Sequence, residues 1–84
     1  MNEILFADGF DEAIVGYCHV SGRVVYDVQK MIFTLVNRDG MEVDEALDYL
    51  EYNTFGAYVG PGTPIYINRA TKEYIEQVVV PSYQ

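Results

Sequence analysis

The feature that most narrows the fold lies at Asp27, where the apolar pattern changes period. Upstream, Arg23-Val24-Val25-Tyr26 is a β-branched and aromatic run suited to a strand. Downstream, Val28, Met31, Ile32, Leu35 and Val36 recur at helical spacing and make one apolar stripe. Asp27 is a good N-cap for that helix and Gly40 suits its C-terminus, so the first helix is expected at about residues 28–38. No linker separates the strand from the helix. A sheet and helices with such stripes bury them by packing on one another.

The same logic extends outwards from this junction. Ala13 to Val20 is apolar and β-favouring, and Ser21-Gly22 separates it from the run before Asp27, which signals a hairpin with a two-residue turn. Glu3 to Ala7 is a short apolar run and an optional first strand; Asp8-Gly9-Phe10-Asp11 reads as a turn. A second helix is expected at about residues 43–55, with Val43, Leu47, Leu50 and Thr54 on one face, Ala46 beside them, and Asp44, Asp48 and Glu51 opposite. Gly56 closes it, and Ala57 to Thr63 forms a loop around Gly60-Pro61-Gly62. Pro64-Ile65-Tyr66-Ile67 reads as a strand with Pro at its first residue. Glu73 to Val80 contains Val78-Val79-Val80 and is assigned as a strand closing a second hairpin, a helical turn after Thr71 being the alternative. The expected fold is α+β, one domain over residues 1–84: an antiparallel sheet with two helices on one face, in the order β-β-α-α-β-β.

Charge bounds the partners. Thirteen Asp and Glu stand against five Lys and Arg, a net charge of −8, while half of the 84 residues are hydrophobic and supply a core. Such a surface repels nucleic acid and anionic membranes and attracts basic surfaces. Cys18 is the single cysteine, so no internal disulfide is expected. Met1-Asn2-Glu3-Ile4 lacks a basic stretch before an apolar run, and no apolar run has membrane-spanning length; the expected compartment is the cytoplasm, that of the host cell if a phage encodes the chain.

No catalytic, cofactor or metal site is expected. Two short helices joined at Arg38-Asp39-Gly40 invite a helix-turn-helix reading, but six acidic residues and no basic one lie between Asp39 and Glu51. Asp8, Asp11 and Glu12 do not have the alternating spacing of a calcium loop. Cys18 and His19 would point to opposite faces of a strand, so they share neither a metal nor a proton; one is expected in the core and the other exposed. The glycines at 56, 60 and 62 lead into a strand without the Lys-Ser or Lys-Thr of a phosphate loop. What stands out is the acidic helix itself. Asp44, Asp48 and Glu51 rise by roughly 6 Å and then 4.5 Å along one side, a row that can imitate a phosphate backbone. Glu45 shares the helix, and Tyr49, Tyr52 and Tyr58 lie on or just after it, tyrosine being favoured at interfaces. The plainer alternative is a solvated helix face with rings that cap the core edge.

The run Asp8-Gly9-Phe10-Asp11-Glu12-Ala13-Ile14-Val15-Gly16-Tyr17, followed by Arg23-Val24-Val25-Tyr26-Asp27, is distinctive. So are Arg38-Asp39-Gly40-Met41 leading to Asp44-Glu45-Ala46-Leu47-Asp48-Tyr49, and Gly56-Ala57-Tyr58-Val59-Gly60 with Thr63-Pro64. Together they resemble a group of short open reading frames of tailed bacteriophages, especially those of aquatic bacteria, over about residues 4–67. That resemblance implies a phage context and transfers no active site. Where the group often has Thr or Ser before the second helix, this chain has Glu42, a weaker cap. The expectation is therefore a non-enzymatic accessory protein that binds a host protein with a basic surface through Asp44, Glu45, Asp48, Glu51, Tyr49, Tyr52 and Tyr58. In its sharpest form it is an inhibitor of a nucleic-acid-handling defence complex, of anti-CRISPR or anti-restriction type. Direct nucleic-acid binding and membrane binding are not expected. A homodimer formed through a sheet edge or the helical face is the second expectation, with a structural or housekeeping role.

Overall fold

A computed structural model describes residues 3–83; the leader expectation at Met1-Asn2 lies outside the described residues, as does Gln84. The strands are β1 (Ile14–Tyr17), β2 (Val24–Asp27) and β3 (Ile65–Ile67). Helix α1 is Val28–Asp39. Helix α2 is regular over Val43–Leu50 and widens into a π-helical turn over Glu51–Phe55. Helix α3 covers residues 72–83, with regular turns at Lys72–Tyr74 and Val80–Tyr83 around a π-helical segment, Ile75–Val79. The fold is α+β.

The junction at Asp27 is built as its residues require. Asp27 ends β2, and its Oδ1 accepts from the Lys30 N–H (3.2 Å), capping α1. At the other end Gly40 has φ 71°, the left-handed turn that ends helices, and its N–H donates to the Val36 carbonyl (3.2 Å). The hairpin forms with a longer turn than expected. The Cys18 N–H donates to the Arg23 carbonyl and the Gly22 N–H to the Cys18 carbonyl, both at 2.7 Å, so residues 19–22 make the turn. A two-residue Ser-Gly turn would need positive φ at Ser21, and only glycines among the described residues have it.

Two expectations about the sheet are corrected. It is mixed, in the order β1-β2-β3: β1 pairs antiparallel with β2, but β3 pairs parallel with β2, Val25 beside Ile65 and Asp27 beside Ile67. The chain leaves the far end of β2, crosses back through two helices and enters β3 at the end where β2 began, a crossover that makes its next strand parallel. The final segment is a helix, not a strand. The Thr71 Oγ1 accepts from the Tyr74 N–H (3.1 Å) and the Thr71 carbonyl from the Ile75 N–H (3.0 Å), which starts α3. Local capping outweighs the modest β preference of the three valines. Pro81 lacks an N–H and its ring crowds the carbonyl four residues back; the helix is widened in the turn just before it.

Helix α1 buries Val28, Met31, Ile32 and Leu35 against Val24 and Tyr26 of β2 and against α2. In α2 the buried residues are Ala46 and Leu50, while Val43 and Leu47 are exposed. The buried face is thus rotated by roughly 50° from the expected one. Glu3 to Ala7 does not join the sheet. The Leu5 N–H donates to the Gly62 carbonyl (3.2 Å), and the Ala7 N–H donates to the Tyr26 hydroxyl (2.7 Å). No helix among the described residues is long and apolar enough to cross a membrane.

Candidate functional site

Helix α2 presents its carboxylates from a rigid mount. Its start is firmer than Glu42 alone suggested, because the Glu45 Oε1 accepts from the Glu42 N–H (3.3 Å) and the Glu42 carbonyl accepts from the Ala46 N–H (2.9 Å). Buried Ala46 and Leu50 hold the middle of the helix on α1. Its far end is fastened by an aromatic column: Phe55 packs on Tyr66 (ring centroids 4.7 Å), and Tyr66 on Tyr26 (5.8 Å). Burial pushes the phenols of Tyr26 and Tyr66 above their ordinary value.

Asp44, Asp48 and Glu51 project to solvent, and by helical rotation they fall within a band roughly 60° wide opposite Ala46 and Leu50. No basic side chain pairs with any of them among the described residues. Two other acids of the stretch from Asp39 to Glu51 are engaged locally. Asp39 pairs with Arg38 (3.0 Å), which holds its carboxyl below the ordinary carboxylate range. Glu45 is a cap residue, so it belongs to the helix's own structure as much as to its surface.

The tyrosines stand beside the acidic band, not within it. Tyr49 and Tyr52 lie with Glu45 on a flank about 100° round the helix from the carboxylate row. Tyr52 is 91% exposed, and Tyr58 is 74% exposed in the loop after α2. That loop is held by Thr63, whose buried hydroxyl donates to the Gly60 carbonyl (2.6 Å) and accepts from the Val59 N–H (3.0 Å). Tyr49 borders a shallow depression of about 550 Å³ that Phe6, Phe10, Asn53 and Val59 also line. Phe6 and Val59 are exposed members of this surface that the sequence pattern did not single out. They meet because the N-terminal segment returns against the loop at Gly62, a long-range contact with no local signal.

The remaining sequence candidates lie elsewhere. Cys18 is half-buried just after β1 and His19 is exposed in the turn, so neither is in the core. The Ser21 hydroxyl, with the Ser21 and Val20 amides, holds the Cys18 thiol below its ordinary value. Asp8 sits in a turn, and Asp11 and Glu12 in a short 3₁₀ turn, Asp11–Ala13. No three His, Cys, Asp or Glu side chains converge as a metal site among the described residues. No family model, curated protein or solved structure matches the chain.

Proposed function

We propose that this chain is a non-enzymatic accessory protein of phage type that binds a host protein with a basic surface and competes there with nucleic acid. The observation that carries the reading is the row Asp44, Asp48 and Glu51, exposed on one side of a capped and packed helix with no cation among the described residues to neutralise it. Three carboxylates span about 10.5 Å of helix axis, a length over which a single nucleic-acid strand places about four phosphates. A groove lined by Lys and Arg would meet a similar density of negative charge on both. Tyr49, Tyr52 and Tyr58 on the adjoining flank add rigid apolar area with polar tips, the kind of anchor that Arg-rich interfaces favour. The net charge of −8 would speed encounter with such a partner, and salt would slow it.

The test is charge reversal. The parent protein should capture a host protein from lysate and displace nucleic acid from it in a gel-shift assay. The triple variant Asp44→Lys, Asp48→Lys, Glu51→Lys, shown folded by circular dichroism, should do neither. Equal capture and displacement by both proteins would sink the reading.

A further inference from the structure

Helix α3 is an amphipathic helix without a covering element. None of its described residues is buried, although it carries Tyr74, Ile75, Val78, Val80 and Tyr83. Tyr74, Ile75, Val78, Val79, Ser82 and Tyr83 recur at helical spacing and line one wall of a cleft of about 700 Å³. The opposite wall is polar, formed by Gln29, Asn68 and Arg69. The body offers Tyr83 an apolar patch of Val28, Ile32, Leu47, Phe55 and Tyr66, but of the other residues lining the cleft only Ala70 is apolar, which does not cover Ile75, Val78 and Val79.

The distribution of charge says what can. Eleven of the thirteen acidic residues lie before Asn68, together with three of the five basic ones, so residues 1–68 carry the whole net charge of −8. Residues 69–84 hold Arg69, Lys72, Glu73 and Glu76 and are neutral. Two copies of so acidic a chain repel each other across most of their surfaces. The α3 face is where they can meet without opposing like charge. The stripe is also chemically self-complementary. When two α3 helices pack antiparallel about a two-fold axis between positions 78 and 79, Tyr74 meets the second copy's Tyr83, Ile75 its Ser82 and Val78 its Val79. Glu76 then faces the level of Pro81, not another carboxylate. Tyr74 and Tyr83 are 53% and 85% exposed, and together they contribute on the order of 300 Å² of coverable surface. With the exposed parts of Ile75 and Val78 this comes to roughly 450 Å² per partner, below the ~800 Å² of a standard interface and in the range of a weak, concentration-dependent dimer.

We propose that α3 is a homodimerisation helix whose occupant is a second copy of this chain in this antiparallel register. Asp44 and Asp48 of α2 line neither depression beside α3, but Glu51 shares one with Tyr83, so dimerisation is tested by oligomeric state and not by partner binding. Sedimentation of the full chain from micromolar to several hundred micromolar should show a monomer–dimer equilibrium. Added salt should tighten it, because screening weakens the repulsion between the acidic bodies. Val78→Glu and Val79→Lys each place a charge in the apolar seam and should weaken dimerisation at least about tenfold, without changing the circular dichroism spectrum of the monomer. Mixed together, the two variants should associate again, because position 78 of one faces position 79 of the other. A chain that stays monomeric throughout, a Val78→Glu variant that dimerises like the parent, or a mixture that stays monomeric would each overturn the proposal.

Discussion

Asp27 is the residue on which most of the structure turns. It is buried, it ends the central strand, it caps α1, and its Oδ2 accepts from the Arg69 Nε at 2.6 Å across the β2–β3 pair. The Arg69 guanidinium holds its carboxyl below the ordinary carboxylate range, with the Lys30 and Gln29 amides adding to the effect and burial opposing it. A carboxylate lowered in the folded state stabilises the fold above its unfolded pKa of about 3.9, and that contribution fades as pH falls further. Urea unfolding should therefore show the parent losing stability below pH ~4 more steeply than Asp27→Asn, which has no charge to lose. At pH 7 Asp27→Ala should cost about 1–3 kcal/mol, since it removes the cap and leaves Arg69 unpartnered, and Asp27→Asn should cost less. Gly62 is a second such position. A Cβ there would collide with the Glu3 carbonyl. Gly62→Ala should detach residues 3–7, read as faster amide exchange at Leu5 and Ala7, while α1 keeps its protection.

Among the elements, α2 has one face packed on the core and one exposed to solvent. Leu50 is fully buried, whereas Leu47 is 37% exposed. Leu50→Ala should cost about 2–5 kcal/mol in chemical denaturation, and Leu47→Ala clearly less, although a sequence reading places both on the same apolar stripe. The stripe was legible and its phase was not. Ala46 faces α1 because a small residue allows close helix approach, and that rotates Leu47 towards the rim. Helix α3 teaches the complementary point. A helical turn after Thr71 was legible as the alternative, but the β-branched triplet Val78-Val79-Val80 argued for a strand. The sheet adds to the effect of the cap: β2 already has both neighbours, β1 and β3, so a further strand would have to extend an edge.

At the scale of the whole molecule, the unneutralised row on α2 opposes stability. Asp44 and Asp48 are like charges one helical turn apart, worth a few tenths of a kcal/mol against the helix, and the general negative charge adds to this. Asp48→Asn and Glu51→Gln combined, sparing Asp44 because the helix dipole favours it in the first turn, should raise the melting temperature at low salt, and the difference should shrink as salt is added. A more stable but non-binding variant is the signature of a surface kept for recognition and not for folding. A lower melting temperature would instead mark these carboxylates as part of the fold.

What the sequence determined by itself is local. The β2–α1 junction at Asp27, the glycine stop at Gly40, the extent of α2 to residue 55 and the acidic row along it all follow from neighbours within a few residues, where capping, chirality and period act. Tertiary structure alone decided the parallel pairing of β3, the phase of α2, the junction of Phe6 with Tyr49 and Val59, and the uncovered stripe of α3. Each depends on which surfaces remain free after the core of α1, α2 and β2 has closed. That is a competition among contacts distant in the chain, and no short window of residues records its outcome.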